Sequence, residues 1–396
     1  MTPKENFFKH QAQTSPYPLG IEIDRAKGSY VYDTDGNGYL DFISGIAVAN
    51  MGHGHPKIVE ATVAQVQKHM HVMAYGEFIQ TAQVAFAARL AQLLPPQLQS
   101  TYFVNSGAEA VEGALKLAKR ITGRHKLMSF EKSYHGSTHG ALSVTGNETK
   151  KYRYRPLLPG VQFIRFNNED DLNRIDSSYA GVIVETIQGD AGVRIPSLTF
   201  MKKLRQVCSQ HGVMLILDEI QTGMGRTGKL FAFEHFGIEP DILVLGKALG
   251  GGMHLGAFIS SAQHMALLKA DPILGHITTF GGHPVACAAG LAALNAMIDE
   301  GHLEECEQKG TYFQSKLQSP HIVEIRRKGL MFAIEMADAN VVQQVVQYCL
   351  SKHLITFWFL SCPESFRLAP PLVVTYEELD AAAAIINEAM TAIQST

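Results

Sequence analysis

The sequence is poor in the features that mark disulfide-stabilised or nucleic-acid-binding proteins. Its five cysteines, among 396 residues, are scattered, odd in number and without a C-x-x-C pair. Neither a disulfide framework nor a metal site is therefore expected, and a cytoplasmic, reducing location fits. The net charge is −3 and no basic block occurs, which argues against nucleic acid as a partner.

Long hydrophobic runs are also lacking. The first thirteen residues, MTPKENFFKHQAQ, are polar and contain no apolar core of a signal peptide. The longest apolar stretch, residues 284–298, is Ala-rich and too short to span a bilayer comfortably. We expect no membrane partner and interpret this stretch as a buried helix. With 46% apolar and 18% charged residues, the chain is typical of a globular enzyme, and its length predicts at least two lobes.

Short apolar runs alternate with helical patterns through the middle of the chain. Seven runs are candidate strands, at residues 101–104, 126–130, 161–164, 181–185, 213–217, 242–246 and 256–260. Two predicted helices carry apolar faces, formed by Val111, Leu115 and Ala118 and by Phe200, Leu204, Val207 and His211. This alternation predicts an α/β fold with a mostly parallel sheet covered on both faces.

The two ends of the chain have a different pattern. Residues 29–42 predict a hairpin around Asp35-Gly36-Asn37-Gly38, and residues 302–396 mix helices with short strands. We predict a large central domain over residues 49–284 and a smaller α+β domain. Residues 1–48 and 285–396 are expected to form that smaller domain together.

The stretch LDEIQTGMGRTG, residues 217–228, contains a G-x-G-x-x-G pattern formed by Gly223, Gly225 and Gly228. This pattern is typical of dinucleotide-binding loops. Here five residues separate the strand from the first glycine, and Gly237 stops the short helical pattern that follows. The next strand also ends in Lys247 rather than near an acidic residue for a ribose. We interpret the glycines as a turn, with a nicotinamide oxidoreductase as the alternative.

Three ionisable residues, Glu185, Asp218 and Lys247, lie at or just after the ends of apolar strands. In open α/β sheets, ligands bind outside the carboxyl ends of the strands. A lysine at such a position is costly to bury unless it is paired or used. Burial lowers the pKa of an amine, and a neutral amine can attack a carbonyl group. The alternative is a lysine whose stem extends along the protein to solvent.

Two further segments complete a candidate cofactor site. Ser106, Gly107 and Ala108 follow a strand and open a helix, where free backbone N–H groups and the helix dipole bind anions. Tyr134 follows another strand and could lie on a flat ring. The alternatives are a helix-capping serine and a core tyrosine. A phosphate cup, a ring contact, a carboxylate and an amine together point to pyridoxal 5′-phosphate.

Several motifs resemble those of the class III pyridoxal-phosphate aminotransferases, and the ornithine, acetylornithine and 4-aminobutyrate group is the most similar. They include LDEIQTGMGRTG (217–228), GKALGGG (246–252), NSGAEAVEGALKLAKR (105–120), YHGSTHGALSVTG (134–146), VIVETIQGDAG (182–192), TTFGGHP (278–284) and FRLAPPL (366–372). The resemblance covers nearly the whole chain. It implies the aspartate-aminotransferase-like type I fold, pyridoxal phosphate as cofactor, and a homodimer.

The resemblance also implies a role for each matching residue. Lys247 is the Schiff-base lysine and general base, and Asp218 pairs with the pyridine nitrogen. Ile220 and Tyr134 contact the two ring faces, Gln221 approaches the ring hydroxyl, and Glu185 supports Asp218 or the substrate side. Ser106, Gly107 and Ala108 hold the phosphate, and Thr279 completes that site from the neighbouring subunit. Arg367 receives the α-carboxylate of glutamate or 2-oxoglutarate.

Two positions depart from the family pattern. Ser137 stands where relatives usually have an arginine, and a hydroxyl does not replace a bidentate carboxylate clamp. Asp190 stands where the family often has a glutamate that pairs with the Arg367 equivalent. Both positions are expected to contact substrate, and both make the identity of the amino donor an open question.

The expected reaction is transfer of an amino group to a keto acid, 2-oxoglutarate, by ping-pong half-reactions. The expected donor is the ω-amine of an ornithine- or acetylornithine-like compound. A 4-aminobutyrate- or lysine-type ω-aminotransferase is the first alternative. An aminomutase or a decarboxylating transaminase is a further one, against which Gln221 and Arg367 argue. A non-catalytic binding module would have no use for such a lysine, acid and phosphate cup.

Overall fold

The computed structural model describes residues 1–392, which contain twelve helices and fifteen strands. The helices are α1 (Pro3–His10), α2 (Ser44–Ala47), α3 (Pro56–Lys68), α4 (Thr81–Leu93), α5 (Gly107–Thr122), α6 (His139–Val144), α7 (Leu198–His211), α8 (Ala262–Ala266), α9 (Pro284–Asp299), α10 (His302–Lys316), α11 (Ala339–Ser351) and α12 (Tyr376–Ala392). The strands are β1 (Ile23–Lys27), β2 (Tyr30–Asp33), β3 (Gly38–Asp41), β4 (Ser100–Val104), β5 (Lys126–Phe130), β6 (Val161–Ile164), β7 (Tyr179–Glu185), β8 (Met214–Asp218), β9 (Ile242–Leu245), β10 (Gly256–Ser260), β11 (Glu324–Lys328), β12 (Met331–Glu335), β13 (Leu354–Ile355), β14 (Phe357–Trp358) and β15 (Ser365–Leu368).

A seven-stranded sheet with the order β4-β10-β9-β8-β7-β5-β6 forms the centre of the molecule. Only β10 runs antiparallel to its neighbours. The predicted parallel sheet is confirmed, and each of its seven strands lies within two residues of its predicted bounds. Every residue of β7, β9 and β10 is buried, as expected for strands covered on both faces. The carboxyl ends of β4, β5, β7, β8 and β9 therefore meet at one edge.

The helices that cover this sheet bury most of the predicted faces. Val111, Leu115 and Ala118 of α5 are at most 2% exposed. Residues 284–298 form the buried helix α9, as predicted. On α7, however, the inclusion of His211 in the apolar face is wrong, because this residue is exposed and the helix ends there before the left-handed Gly212. Cys208 is the buried residue of that last turn.

Two four-stranded sheets lie outside the central one, with the orders β1-β2-β3-β13 and β11-β12-β15-β14. The predicted hairpin at residues 29–42 forms from β2 and β3, and the carboxylate of Asp33 accepts the backbone N–H of Asn37 at 2.8 Å. Strand β13 pairs in parallel with β3, so both ends of the chain contribute to one sheet. The domain bounds at residues 48 and 284 stay a prediction.

The glycine-rich segment after β8 is a series of turns, in which Gly225 and Gly228 have φ angles of 82° and 85°. A 3-10 turn at Ala232–His235 follows where a dinucleotide site requires a long helix. The interpretation of the glycines as a turn is thus confirmed.

Arg226 in these turns is fully buried. Its guanidinium donates to the carbonyl oxygens of Leu330 (3.1 Å) and Pro370 (2.6 Å) and to the side chain of Asn50. The segment thereby connects distant parts of the chain. Within residues 1–392, no helix has both the length and the apolar character needed to cross a bilayer.

Candidate active site

A cavity of about 310 Å³ opens at the edge where the parallel strands end. Nine of the thirteen predicted site residues line it, namely Gly107, Ala108, Tyr134, Ser137, Glu185, Asp218, Ile220, Gln221 and Lys247. Ser106, Asp190, Thr279 and Arg367 are predicted site residues outside this lining. The sheet topology thus brings together residues that are up to 140 positions apart in the sequence.

Lys247 is positioned by the end of β9, two residues after Leu245. Its φ angle of 47° lies in the left-handed region, which is strained for a lysine. Burial, reinforced by the positive charge of Arg367, lowers the pKa of its amine to about 8, against the opposing charges of Asp218 and Glu185. A substantial fraction of the amine is therefore neutral near pH 8 and able to act as a nucleophile or base.

Asp218, the last residue of β8, is held at both carboxylate oxygens. Its Oδ1 accepts the backbone N–H of Ile220 at 3.0 Å, and its Oδ2 lies 2.7 Å from Nδ1 of His135. His135 is 2% exposed, and its Nε2 is buried without a hydrogen-bond partner in the described part of the chain. No sequence motif indicated a role for His135. The sequence offered one indication of its importance, because His135 lies between Tyr134 and Gly136 in the motif at residues 134–146.

Glu185, the last residue of β7, anchors the loop that carries Tyr134. Its two carboxylate oxygens accept the backbone N–H groups of Tyr134 and Gly189, each at 2.9 Å. Burial raises the pKa of Glu185 to about 7, with His135 opposing and Asp218 reinforcing the shift. This carboxyl group therefore changes its protonation state close to neutral pH.

The start of α5 forms one wall of the cavity. The hydroxyl of Ser106 accepts the backbone N–H of Glu109 at 3.2 Å, so Ser106 caps the helix. Gly107 and Ala108 line the cavity, and the first amides of a helix have no partner within it. α5 has 16 residues, so the positive end of its dipole also favours an anion here.

Two glycines, Gly107 and Gly136, allow close packing in this wall of the cavity. A Cβ on Gly107 would come within 2.7 Å of Cδ1 of Ile220, and one on Gly136 within 2.8 Å of Cβ of Ala108. The backbone thus approaches the cavity where side chains would obstruct it. The residues of this cavity fit pyridoxal phosphate. The free amides would bind its phosphate and Ile220 would contact a ring face. Asp218 would pair with the ring nitrogen, and Lys247 would react with the carbonyl group.

Arg367, on β15, lies beside the cavity and forms an ion pair with Asp190, with 3.0 Å between Nη2 and Oδ1. Its guanidinium carbon lies 4.4 Å from the centre of the Phe359 ring. The Nε of Arg367 is buried without a hydrogen-bond partner among residues 1–392. Arg367 therefore retains donor capacity that a carboxylate could use.

Asp190 has a second cationic partner, Lys150, which the sequence did not predict. Nζ of Lys150 lies 2.8 Å from Oδ2 of Asp190 and 4.7 Å from the centre of the Tyr134 ring. No motif pointed to Lys150, which lies in a short 3-10 turn between α6 and β6. Ser137 is exposed, with its Oγ 3.4 Å from the hydroxyl of Tyr134.

Thr279 is exposed on the surface of its own chain. The adjacent Thr278 accepts a hydrogen bond from Nδ2 of Asn105 at 2.7 Å, which holds this segment beside the start of α5. The predicted role of Thr279 in the site of a neighbouring subunit stays a prediction.

Comparison with known proteins places the chain in a family. The family model described as aminotransferase class-III matches residues 11–390. An acetylornithine aminotransferase from Caldanaerobacter subterraneus subsp. tengcongensis is 38% identical over 391 residues, which is 96% of each chain. A [LysW]-aminoadipate semialdehyde/glutamate semialdehyde transaminase from Sulfolobus acidocaldarius is 38% identical over 385 residues, which is 95% of this chain and 96% of that one.

A solved structure agrees with these matches. The ornithine aminotransferase from Toxoplasma gondii, with partial occupancy of PLP at its active site, has a TM-score of 0.90 and 30% identity, covering 98% of this chain and 94% of that one. The architecture is that of the type I pyridoxal-phosphate enzymes. The protein is thus a pyridoxal-phosphate-dependent transaminase, and the chain belongs to the class III aminotransferases.

Proposed function

We propose that this transaminase moves the ω-amino group of an ornithine- or acetylornithine-like donor to 2-oxoglutarate in two successive half-reactions. The observation that carries the proposal is Lys247, whose amine has a lowered pKa and shares one cavity with Asp218 beside the Arg367–Asp190 pair. Two relatives, named acetylornithine aminotransferase and [LysW]-aminoadipate semialdehyde/glutamate semialdehyde transaminase, support an ω-amino substrate.

When bound, pyridoxal phosphate supplies a carbonyl for the amine and a ring that accepts the electron pair released at the reacting carbon. Lys247 would attach the cofactor and then move a proton between the two reacting carbons. Asp218 would hold a proton at the pyridine nitrogen, and His135 would keep that carboxylate in place. The remaining predicted contacts position the group, with Gln221 at the ring hydroxyl and Tyr134 on one ring face.

The Arg367–Asp190 pair would adapt the site to two kinds of substrate. While an ω-amine reacts, no carboxylate adjoins the reacting carbon, so Arg367 would stay paired with Asp190. A keto acid brings a carboxylate next to the reacting carbon, and Arg367 would then bind it. The exposed Ser137 leaves the donor end without a guanidinium, which would suit donors whose distal group is held by other contacts.

Labelling tests the assignment of Lys247. Borohydride reduction of the holoenzyme should fix the cofactor covalently to the peptide that contains Lys247, as read by mass spectrometry. Lys247→Ala should give a folded protein without transaminase turnover. Label on another lysine would overturn the assignment.

The donor is tested by a panel of amino compounds. Acetylornithine, ornithine, lysine and 4-aminobutyrate should be compared by the loss of visible cofactor absorbance in a single half-reaction. We expect the first two to react fastest, with one glutamate formed per 2-oxoglutarate consumed. Reaction of 4-aminobutyrate alone would favour the alternative donor class, and loss of carboxylate as CO₂ would favour a decarboxylating enzyme.

We further propose a homodimer in which Thr279 reaches the neighbouring phosphate site. Two adjacent segments, residues 70–79 and 273–280, present an apolar surface. Its most exposed members are Met70 (61%), Phe78 (54%), Ile79 (93%), Ile273 (77%) and Phe280 (52%). The contact between His71 and Phe280, with ring centres 5.0 Å apart, joins the two segments. A second copy of the chain is the occupant expected for this surface.

We also propose a cytoplasmic location. All five cysteines are buried as free thiols. This arrangement suits a reducing compartment.

A further inference from the structure

Asp190 is held by four hydrogen-bond donors, of which only one belongs to Arg367. Its Oδ2 accepts from Nζ of Lys150 (2.8 Å) and from the hydroxyl of Ser361 (2.7 Å). Its Oδ1 accepts from Nη2 of Arg367 (3.0 Å) and, at the longer distance of 3.4 Å, from the backbone N–H of Leu360. If Arg367 moved away, Asp190 would keep three donors, and one of them carries a full positive charge.

Arg367 is bound less completely than its partner. Among residues 1–392, its single side-chain hydrogen bond is the one to Asp190, and its Nε is buried without a partner. Its other close contact is the face of the Phe359 ring, at 4.4 Å. Of the two members of this ion pair, the arginine therefore has fewer bonds to lose.

The burial of the pair makes a second cation important. The side chains of Asp190 and Arg367 are only 11% and 8% exposed. Separating a buried ion pair is costly when one charge is left unpaired. Lys150, with a side chain 21% exposed, is a second cation on Asp190, so the carboxylate would remain paired if Arg367 moved away.

The pKa of Asp190 agrees with a larger contribution from Lys150 than from Arg367. Burial alone would raise the pKa of Asp190, but the charge of Lys150 and the hydrogen bonds from Lys150 and Ser361 hold it below its usual value. The charge of Arg367 has a smaller effect in the same direction. The low pKa of Asp190 thus depends more on Lys150 and Ser361 than on the arginine.

We propose that Lys150 is the permanent partner of Asp190 and a specificity-determining positioning residue, which leaves Arg367 as the mobile member that binds the substrate carboxylate. The inference rests on the proposed function. Two cations around one carboxylate also leave one net positive charge beside Tyr134. The arrangement favours a substrate with a carboxylate next to its reacting carbon, which Arg367 would bind and which would neutralise this charge.

The test compares Lys150→Met with Lys150→Arg. Lys202→Met, on the exposed surface of α7, is the matched control. Removal of the lysine leaves Asp190 with no cation other than Arg367, so a substrate carboxylate must separate that pair. For Lys150→Met we expect about a tenfold higher KM for 2-oxoglutarate, with kcat changed less than about twofold. Lys150→Arg and Lys202→Met should resemble the wild type.

A binding measurement makes the test independent of turnover. Glutarate, a dicarboxylate with no amino or keto group, should bind to the wild-type holoenzyme in isothermal titration calorimetry. Its Kd should rise about tenfold in Lys150→Met and recover in Lys150→Arg. Equal glutarate affinity in wild type and Lys150→Met would overturn the inference. A wild type that transfers no amino group, yet shows this difference in glutarate binding, would instead contradict the proposed function.

Discussion

Nδ1 of His135 lies 2.7 Å from Oδ2 of Asp218, and both side chains are buried. The contact joins the loop after β5 to the end of β8, across 83 positions of sequence. Asp218, which we propose to pair with the pyridine nitrogen of the cofactor, is therefore held by His135, a residue outside its own motif. We therefore propose His135 as a positioning residue that would act through Asp218.

His135→Phe should weaken the site by removing this contact. The buried carboxylate of Asp218 would keep only the backbone N–H of Ile220, and an unsatisfied buried group costs about 1–3 kcal/mol. We expect the Kd for pyridoxal phosphate to rise by about tenfold or more, with a lower kcat. Absorbance titration of the apoenzyme measures the affinity. His139→Phe, at an exposed position in the same segment, is the control, and equal effects of the two changes would refute the assignment.

Lys247→Met should stabilise the apoprotein in a pH-dependent way. Burial lowers the pKa of Lys247 from 10.5 to about 8, so the unfolded chain binds more protons than the folded one between these values. The stability of the wild type therefore rises from pH 8 to pH 10.5 as the penalty of the buried charge disappears. Below pH 8 this penalty is present in full, at about 3 kcal/mol.

The variant should consequently exceed the wild type in Tm at pH 7, and the difference should shrink towards pH 10.5. Differential scanning calorimetry of the two apoproteins across this range measures it. Lys202→Met should show no such trend. A difference that stays constant with pH would contradict the buried charge.

Gly107→Ala should obstruct the cofactor wall. The new Cβ would lie 2.7 Å from Cδ1 of Ile220, so Ile220 must shift from the position proposed for a ring contact. We expect weaker binding of pyridoxal phosphate, by about tenfold. The double variant Gly107→Ala/Ile220→Ala removes the clash and should bind more tightly than the sum of the two single effects predicts. Additive effects would show that the contact is unimportant.

Ile79→Glu should disrupt the proposed homodimer. Ile79 is 93% exposed within the apolar surface of residues 70–79 and 273–280, and a charge there would be desolvated on association. Sedimentation velocity should show the mass fall from twice 43.4 kDa to 43.4 kDa. Val323→Glu, at a 63% exposed position elsewhere, should leave the dimer intact. A monomeric wild type would disprove the proposal.

Much of the cavity lining could be predicted from the sequence, because a local pattern of apolar runs and helices indicates the direction of the strands. Apolar runs separated by helical patterns predict parallel strands, and parallel strands place Glu185, Asp218 and Lys247 at one edge. The dinucleotide-binding interpretation of the glycine pattern after β8 was rejected correctly, because the sequence after the glycines lacks the required helix. Exposed His211 shows the limit of periodicity, because a left-handed Gly212 ends the helix before its apolar face is complete.

Contacts between loops could not be predicted in this way. Lys150 and Asp190 are 40 positions apart, and neither a motif nor the resemblance indicated their contact. The pairing of Asp190 with Arg367, 177 positions away on β15, was expected from the family resemblance alone. The contact between Lys150 and Asp190 depends on how each loop turns, and neither hydrophobic period nor local motif specifies that. His135 had a partial signal as a neighbour of Tyr134, whereas a lysine in a short turn resembles any solvated surface residue.

The buried Arg226 has a consequence for how the chain reaches its native state. Its three partners, Asn50, Leu330 and Pro370, are 176, 104 and 144 positions away. Until both outer parts of the chain are in place, this guanidinium has no acceptors in the interior, and a buried cation without them costs several kcal/mol. Contacts of such long range also slow folding. Because Leu330 and Pro370 lie in the C-terminal part of the chain, the hydrogen bonds of Arg226 to them can form only after that part has docked.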